Sequence, residues 1–233
     1  MIRDSLVVLA AGWAAFMLAA SIASATVRGS AAYQVYLKTL LVFAAFALIS
    51  VWRKRVPGSY GLRRASGVRW RRTVAAGLAL GAATSLIILL LGGSGMQAAL
   101  GSMKFWQIVL IVWIGSSISE EIFTRGWAQG ALDRWRGVAY GGHSVPVIVA
   151  ALLFGSMHIT LIGHGVDIIT TVVVVISATL LGLIAGSLRE RHGGLAPAIL
   201  VHICFNIGGA MGGVIYVLGY RLTTGKLPAF TSQ

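Results

Sequence analysis

The chain has 233 residues, of which 57% are hydrophobic and only 11% charged, and its mean hydropathy is +0.85. Soluble globular domains carry about a quarter charged residues, so this composition excludes that class and indicates a polytopic membrane protein. Its 19 Lys and Arg against 6 Asp and Glu give a formal net charge of +13. The single cysteine, Cys204, cannot form an internal disulfide and is interpreted as a packed apolar residue.

Seven apolar stretches are long enough to cross about 30 Å of hydrocarbon, which takes roughly 20 helical residues. We therefore predict an all-α bundle of seven transmembrane helices that forms one domain over residues 1–233. The predicted spans are 5–27, 31–52, 73–92, 105–131, 145–162, 168–188 and 195–219. The small residues 23–25 leave a cleaved signal peptide as the alternative for the first span, although its long apolar stretch favours a retained helix.

The segment 53–72 carries eight basic residues and no acidic residue. Basic residues close to span ends favour the cytoplasmic side, so this loop and the N-terminus are predicted to be cytoplasmic. Orientation and anionic lipid headgroups explain such a segment beside two spans, and we expect no nucleic-acid partner. The localisation expected is the inner or plasma membrane of a bacterial cell, where the lipid bilayer is one partner.

Two adjacent carboxylates, Glu120 and Glu121, lie in the middle of the apolar stretch 105–131. A charged group at the centre of a spanning helix costs about 2.5–3.5 kcal/mol on insertion scales, so such a pair normally faces the protein interior or a wet cavity. Glu121 and Arg125 are four residues apart with Glu on the N-terminal side, the favourable order for an ion pair. Glu120 is rotated about 100° from that face and is predicted to be free for another partner.

Two later spans supply polar partners for this carboxylate. Phe154 and His158 lie one helical turn apart, as do His202 and Asn206. At about 1.5 Å per residue from the predicted cytoplasmic ends, Glu120 and Asn206 lie about 16 Å deep, His158 about 20 Å and His202 about 10 Å. These depths predict that the four polar side chains meet in one layer of the bundle.

The three polar motifs, taken in chain order, resemble those of the CPBP family of CAAX proteases and bacteriocin-processing enzymes, which includes the type II CAAX prenyl endopeptidases. The motifs are Glu120-Glu121-x-x-x-Arg125, Phe154-x-x-x-His158 and His202-x-x-x-Asn206. They fall within residues 103–219, whereas residues 1–102 carry no motif that can be matched. The resemblance implies an intramembrane endopeptidase acting on a membrane-associated peptide or protein substrate.

The resemblance also implies a role for each motif residue. Glu120 and His158 would activate a water molecule, while His202 and Asn206 would stabilise the oxyanion. The remaining motif residues, Glu121, Arg125 and Phe154, would support the site. Carboxylate, imidazole and amide groups are chemically suited to these general-base and oxyanion roles.

Zinc is the rival catalyst, because two His and one carboxylate are a ligand set found in catalytic zinc sites. Its ligands would be Glu120, His158 and His202. The His-Glu-x-x-His helix of zinc proteases is absent from the chain. We favour catalysis without a cofactor and keep zinc as the alternative.

Three further functions are alternatives to the protease. A proton-coupled transporter would use intramembrane Glu and His, but no internal repeat or paired broken helices are visible. A noncatalytic scaffold would keep the polar residues for packing alone. A serine protease would need a nucleophile among Ser116, Ser117, Ser119 and Ser156, which lack a nucleophile-elbow context. His143, His164 and His192 lie in predicted loops or at their edges and receive no role.

Overall fold

The computed structural model describes residues 1–26, 60–96, 100 and 103–228. Six helices in these ranges are long and apolar enough to cross a membrane. Apart from one two-stranded hairpin, no β-structure occurs in the described ranges. The predicted all-α membrane bundle is therefore confirmed, while the predicted span 31–52 lies outside the described residues.

The helices follow the predicted spans closely in position. Their bounds are α1 Ile2–Thr26, α2 Trp70–Leu90, α3 Phe105–Ala131, α4 Val145–Met157, α5 Ile168–His192 and α6 Ala196–Thr224. The predicted span 145–162 is right in place but not in conformation, because the α-helix ends at Met157 and a 3₁₀ helix follows over His158–His164. A 3₁₀ turn, Asp133–Trp135, and an antiparallel hairpin of β1 Ala139–Tyr140 and β2 His143–Ser144 join α3 to α4.

Local capping fixes where α4 and α5 begin. The Ser144 hydroxyl accepts from the Val147 amide at the start of α4, and the Asp167 carboxylate accepts from the Thr170 amide at the start of α5. Burial raises the pKa of Asp167, but hydrogen bonds from Ser94 and Thr170 outweigh it and hold the pKa well below its usual range. Asp167 thereby joins the loop after α2 to the N-terminus of α5.

Helix α3 is not uniformly α-helical. Two π-helical stretches, Ile108–Ser116 and Ile122–Ala128, flank a short α-helical segment over Ser117–Glu121. π-Helical turns are rare and frequently occur at functional sites. The two adjacent carboxylates therefore lie at the end of the α-helical segment, between two widened stretches of one helix.

Small residues let α2 and α6 approach each other to backbone contact. A methyl group added at Gly81 would overlap the Phe205 carbonyl oxygen, and one added at Gly208 would overlap the Leu78 carbonyl oxygen. Gly77 and Gly212 are equally tight against the facing helix. The small-xxx-small pattern is a general device for close helix packing in membranes.

The basic connections gather at one end of the bundle. The Leu195 amide donates to the Gly61 carbonyl at 2.9 Å, and Arg189 lies 3.4 Å from Asp133. The Ser94–Asp167 contact lies between the other ends of α2 and α5. The connections predicted to be cytoplasmic thus share one end, and their orientation across the membrane stays a prediction.

Candidate active site

Glu121 is the fully buried centre of an ionic cluster. Its Oε1 atom accepts from Arg125 Nη1 at 3.0 Å and from His202 Nδ1 at 2.9 Å. Both Glu121 and Arg125 are 0% exposed, so the predicted ion pair is present and completely desolvated. The link to His202 was not predicted from the spacing, and it joins α3 to α6.

Glu120 differs from its neighbour in exposure. Its side chain is 28% exposed, and its Oε2 atom lies 3.8 Å from Nε2 of His202. His202 thus faces Glu121 with one ring nitrogen and Glu120 with the other. Glu120 is therefore the more accessible carboxylate of the pair, whereas Arg125 and His202 both contact the buried Glu121. This exposure agrees with the prediction that Glu120 is free for another partner.

Phe154 connects all three motifs through its ring. Its centroid lies 5.0 Å from that of His158 and 5.3 Å from that of His202, each with an edge-to-face arrangement. The Arg125 guanidinium lies 4.5 Å from the same centroid, a cation–π distance. Phe154 is 1% exposed, so its packing limits where the two imidazoles and the guanidinium can lie.

His158 follows the last residue of α4, where the α-helix gives way to the 3₁₀ helix. Its Nδ1 atom lies 2.9 Å from the Phe154 carbonyl oxygen. A carbonyl can only accept, so Nδ1 carries the proton in this contact. In a neutral imidazole the Nε2 atom is then the acceptor, the form that a general base requires.

Asn206 is oriented by a serine. Its Nδ2 atom donates to Ser117 Oγ at 3.0 Å, while that hydroxyl donates to the Trp113 carbonyl at 2.6 Å. The serine hydroxyl has one proton, so it can only accept from Asn206. One N–H of the amide remains for another acceptor.

Sequence reasoning missed this supporting role of Ser117. The available signal was its position four residues before Glu121, on the same helix face. Ser117 is fully buried, and all four serines considered as nucleophiles donate to a carbonyl of their own helix. No hydrogen bond between these serines and a histidine occurs among the described residues. This arrangement disfavours the serine-protease alternative.

Further polar side chains continue the buried face of α3. The Thr124 hydroxyl accepts from Arg125 Nη1 at 2.6 Å and donates to the Glu120 carbonyl at 2.6 Å. One turn later, Gln129 is fully buried and its Nε2 atom donates to the Gly186 carbonyl at 3.1 Å. Thr124 and Gln129 were also missed, because neither residue type is unusual in a membrane helix.

A glycine on α5 makes room for the buried guanidinium. A Cβ atom at Gly182 would lie 2.9 Å from Arg125 Nη2 and 2.8 Å from the Ala151 Cα atom. The pattern of Gly182 and Gly186 therefore packs inside this chain, against α3 and α4. Small residues thus permit close helix packing here as they do between α2 and α6.

The proposed zinc ligands do not form a metal-binding cluster. Among the described residues, no three His, Cys, Asp or Glu side chains come together in a way that could hold a metal ion. Glu120 and His202 approach each other to 3.8 Å, but Glu121 already accepts from the other nitrogen of that imidazole. We therefore derive no catalytic step through a metal.

The histidines without an assigned role lie outside this site. His143 Nδ1 is 2.9 Å from the Ser187 hydroxyl, and His192 Nδ1 donates to the Ser66 carbonyl at 2.8 Å. His164 is exposed in the 3₁₀ helix. These contacts join connecting segments to helix ends.

Residues 102–208 match the family model of the Rce1-like type II CAAX prenyl endopeptidases. This range includes all three motifs, and the match supports the family resemblance that they suggested. Comparisons with curated proteins and with solved structures find no match.

Proposed function

We propose, from the match of residues 102–208 to the Rce1-like family model of CAAX prenyl endopeptidases, that this membrane protein hydrolyses a peptide bond by using Glu120 as the general base. The observation that carries the proposal is the unequal placement of the two carboxylates. Arg125 and His202 hold Glu121 in the protein interior, whereas Glu120 stays partly exposed beside the same His202.

In the proposed reaction, Glu120 accepts a proton from a water molecule whose oxygen attacks the carbonyl carbon of the scissile bond. His158 assists through Nε2, because its Nδ1 proton is engaged by the Phe154 carbonyl. Collapse of the tetrahedral intermediate breaks the C–N bond. The proton then passes from Glu120 to the leaving nitrogen, so atoms and charges balance.

The negative charge on the substrate oxygen needs donors that are already in place. Asn206 offers the amide N–H that Ser117 does not use. His202 can donate from Nε2 only when both of its ring nitrogens are protonated, because Nδ1 faces Glu121.

The substrate is a peptide or protein at or within the membrane. Within the family, one alternative is a prenylated protein and the other a peptide, a sorting signal or a regulator without a prenyl group. Two functions without hydrolysis, a proton-coupled transporter and a noncatalytic scaffold, are the rivals from other classes. Catalysis by zinc is the rival mechanism for the same reaction.

The decisive experiment compares the membrane peptidomes of cells that carry the native chain or Glu120→Gln. Gln keeps the size and hydrogen-bonding capacity of Glu but removes the base. We expect a set of cleavage products that appears with the native chain and vanishes with the variant. Identical peptidomes, with both proteins folded and equally abundant, would refute hydrolysis at this site.

Glu190→Gln is the matched control. It also replaces a carboxylate by an amide, but Glu190 contacts Ser144 and Arg136 at the end of the bundle. Its products should equal those of the native chain. Proton flux in proteoliposomes, measured on the same proteins, tests the transporter. Chelator treatment followed by metal analysis tests zinc, since a metal enzyme would lose activity with its ion.

A further inference from the structure

The described arginines of the loop before α2 and of the first turn of α2 have no acidic partner among the residues that the structure describes. Arg63, Arg64, Arg69, Arg71 and Arg72 are all exposed. The chain has only six acidic side chains, and each one lies in the described residues with contacts elsewhere. The pairs are Asp4 with Arg134, Glu120 with His202, Glu121 with Arg125, Asp133 with Arg189, Asp167 with Ser94 and Glu190 with Arg136.

Two of these arginines line a groove at the start of α6. The groove has a volume of about 380 Å³ and is lined by two arginines together with apolar residues. Its lining residues are Gly61, Leu62, Arg63, Arg64, Leu195, Ala196 and Ile199. Such a surface matches a ligand with an anionic head and a hydrocarbon tail.

One side of the groove is held in place before any ligand binds. The Nε atom of Arg63 donates to the Gly193 carbonyl, and Gly193 has a φ of 74°. A Cβ atom at Gly193 would lie 3.2 Å from Arg63 Nη2, so the missing side chain leaves room for the guanidinium. The Leu195 amide also donates to the Gly61 carbonyl at 2.9 Å. These contacts hold residues 61–63 against residues 193–195 before a ligand binds, which lowers the ordering cost of binding.

We propose that this groove binds the phosphate of an anionic phospholipid, with an acyl chain lying along Leu62 and Ile199. The groove lies at the start of α6, a helix of membrane-spanning length, at the basic end of the bundle. Basic pockets beside transmembrane helices bind anionic headgroups, and arginine pairs with phosphate oxygens through two parallel hydrogen bonds. The N-terminal end of the α6 dipole adds a further preference for negative charge.

The test measures lipid binding to the full-length purified protein by native mass spectrometry, with phosphatidylglycerol and phosphatidylcholine of equal chain length as probes. We expect one high-affinity site with a clear preference for phosphatidylglycerol. The Arg63→Gln/Arg64→Gln double variant should weaken that site by about tenfold or more. Arg71→Gln/Arg72→Gln removes the same charge outside the groove and should change affinity less than about twofold.

Arg64→Gln alone guards against misfolding, because the Arg64 side chain makes no described hydrogen bond. It should weaken phosphatidylglycerol binding while the unfolding temperature without lipid stays at the native value. Equal weakening by the two double variants would overturn the proposal in favour of diffuse attraction. Equal binding of phosphatidylglycerol and phosphatidylcholine would also overturn the proposal. Inorganic phosphate that competes as strongly as the lipid would overturn it too, because the acyl chain would then contribute nothing to binding.

Discussion

Replacing Arg125 by methionine tests whether the buried ion pair holds the site together. The substitution leaves Glu121 fully buried with His202 as its remaining hydrogen-bonding partner. Breaking a buried pair by removing one partner typically costs about 3–5 kcal/mol, since an uncompensated charge remains. Loss of the contact with Phe154 adds up to about 2 kcal/mol for a desolvated cation–π pair.

Glu121→Gln/Arg125→Met should recover most of that loss. The double variant removes both charges, and the Gln carbonyl oxygen can still accept from His202 Nδ1. Apolar or neutral replacements of a complete buried pair are often close to neutral in stability. The double variant should therefore be more stable than Arg125→Met, although it has one more substitution.

The measurement is the free energy of unfolding in mixed micelles, together with the yield of folded protein. Arg134→Met is the control, because the Arg134 side chain is 63% exposed in its ion pair with Asp4. An exposed pair is worth about 0–1 kcal/mol, so this variant should resemble the native chain. If Arg125→Met is no less stable than Arg134→Met, the buried charge does not have the cost assigned here.

Four further predictions concern catalysis, orientation and pH. Asn206→Ala should lower turnover by about 10²–10³ rather than abolish it, as is typical for loss of one oxyanion donor. Ser117→Ala should reduce kcat by a larger factor than it changes KM. Combining it with Asn206→Ala should cause little further loss of turnover, and a full additional loss of turnover would show that Ser117 acts independently of the amide. In intact cells, a cysteine at Ser66 should resist an impermeant thiol reagent and one at His164 should react, whereas the reverse pattern would invert the topology. Asp167→Ala should lose about 0.5–2 kcal/mol of stability near neutral pH. The folded pKa of Asp167 lies below its ordinary value of 3.8. The stability that ionised Asp167 contributes is therefore fully present above pH 3.8 and is lost as the pH falls toward the folded pKa. A stability difference between Asp167→Ala and the parent that stays the same at acid pH would contradict this assignment.

The sequence predicted the helices well because long apolar stretches leave little freedom in a membrane. The bounds of α3 were predicted to the residue, and the spacing of Glu121 and Arg125 predicted their ion pair. The end of α4 at Met157 was missed. Nothing in the apolar run that continues to residue 162 distinguishes a 3₁₀ turn from a further α-helical turn.

The contacts between helices were harder to predict than the helices themselves. The depth estimate brought Glu120 and His202 to within about 6 Å of each other along the membrane normal. Helical periodicity could not show that His202 bonds to Glu121. The orientation of Asn206 by Ser117 depends on the rotation of α3 against α6, which the π-helical stretches alter. Such details follow from three-dimensional packing rather than from the spacing of residues in the chain.

The glycine contacts between α2 and α6 show that the limits of the family match differ from the limits of the packed bundle. The family match covers residues 102–208 and omits α2 entirely, although α2 packs by its backbone against the helix that carries His202 and Asn206. The recognisable chemical signature is therefore shorter than the unit that must fold to position it. A relative that kept all three motifs but replaced α2 with bulkier residues would have the reactive groups without the framework that aligns them.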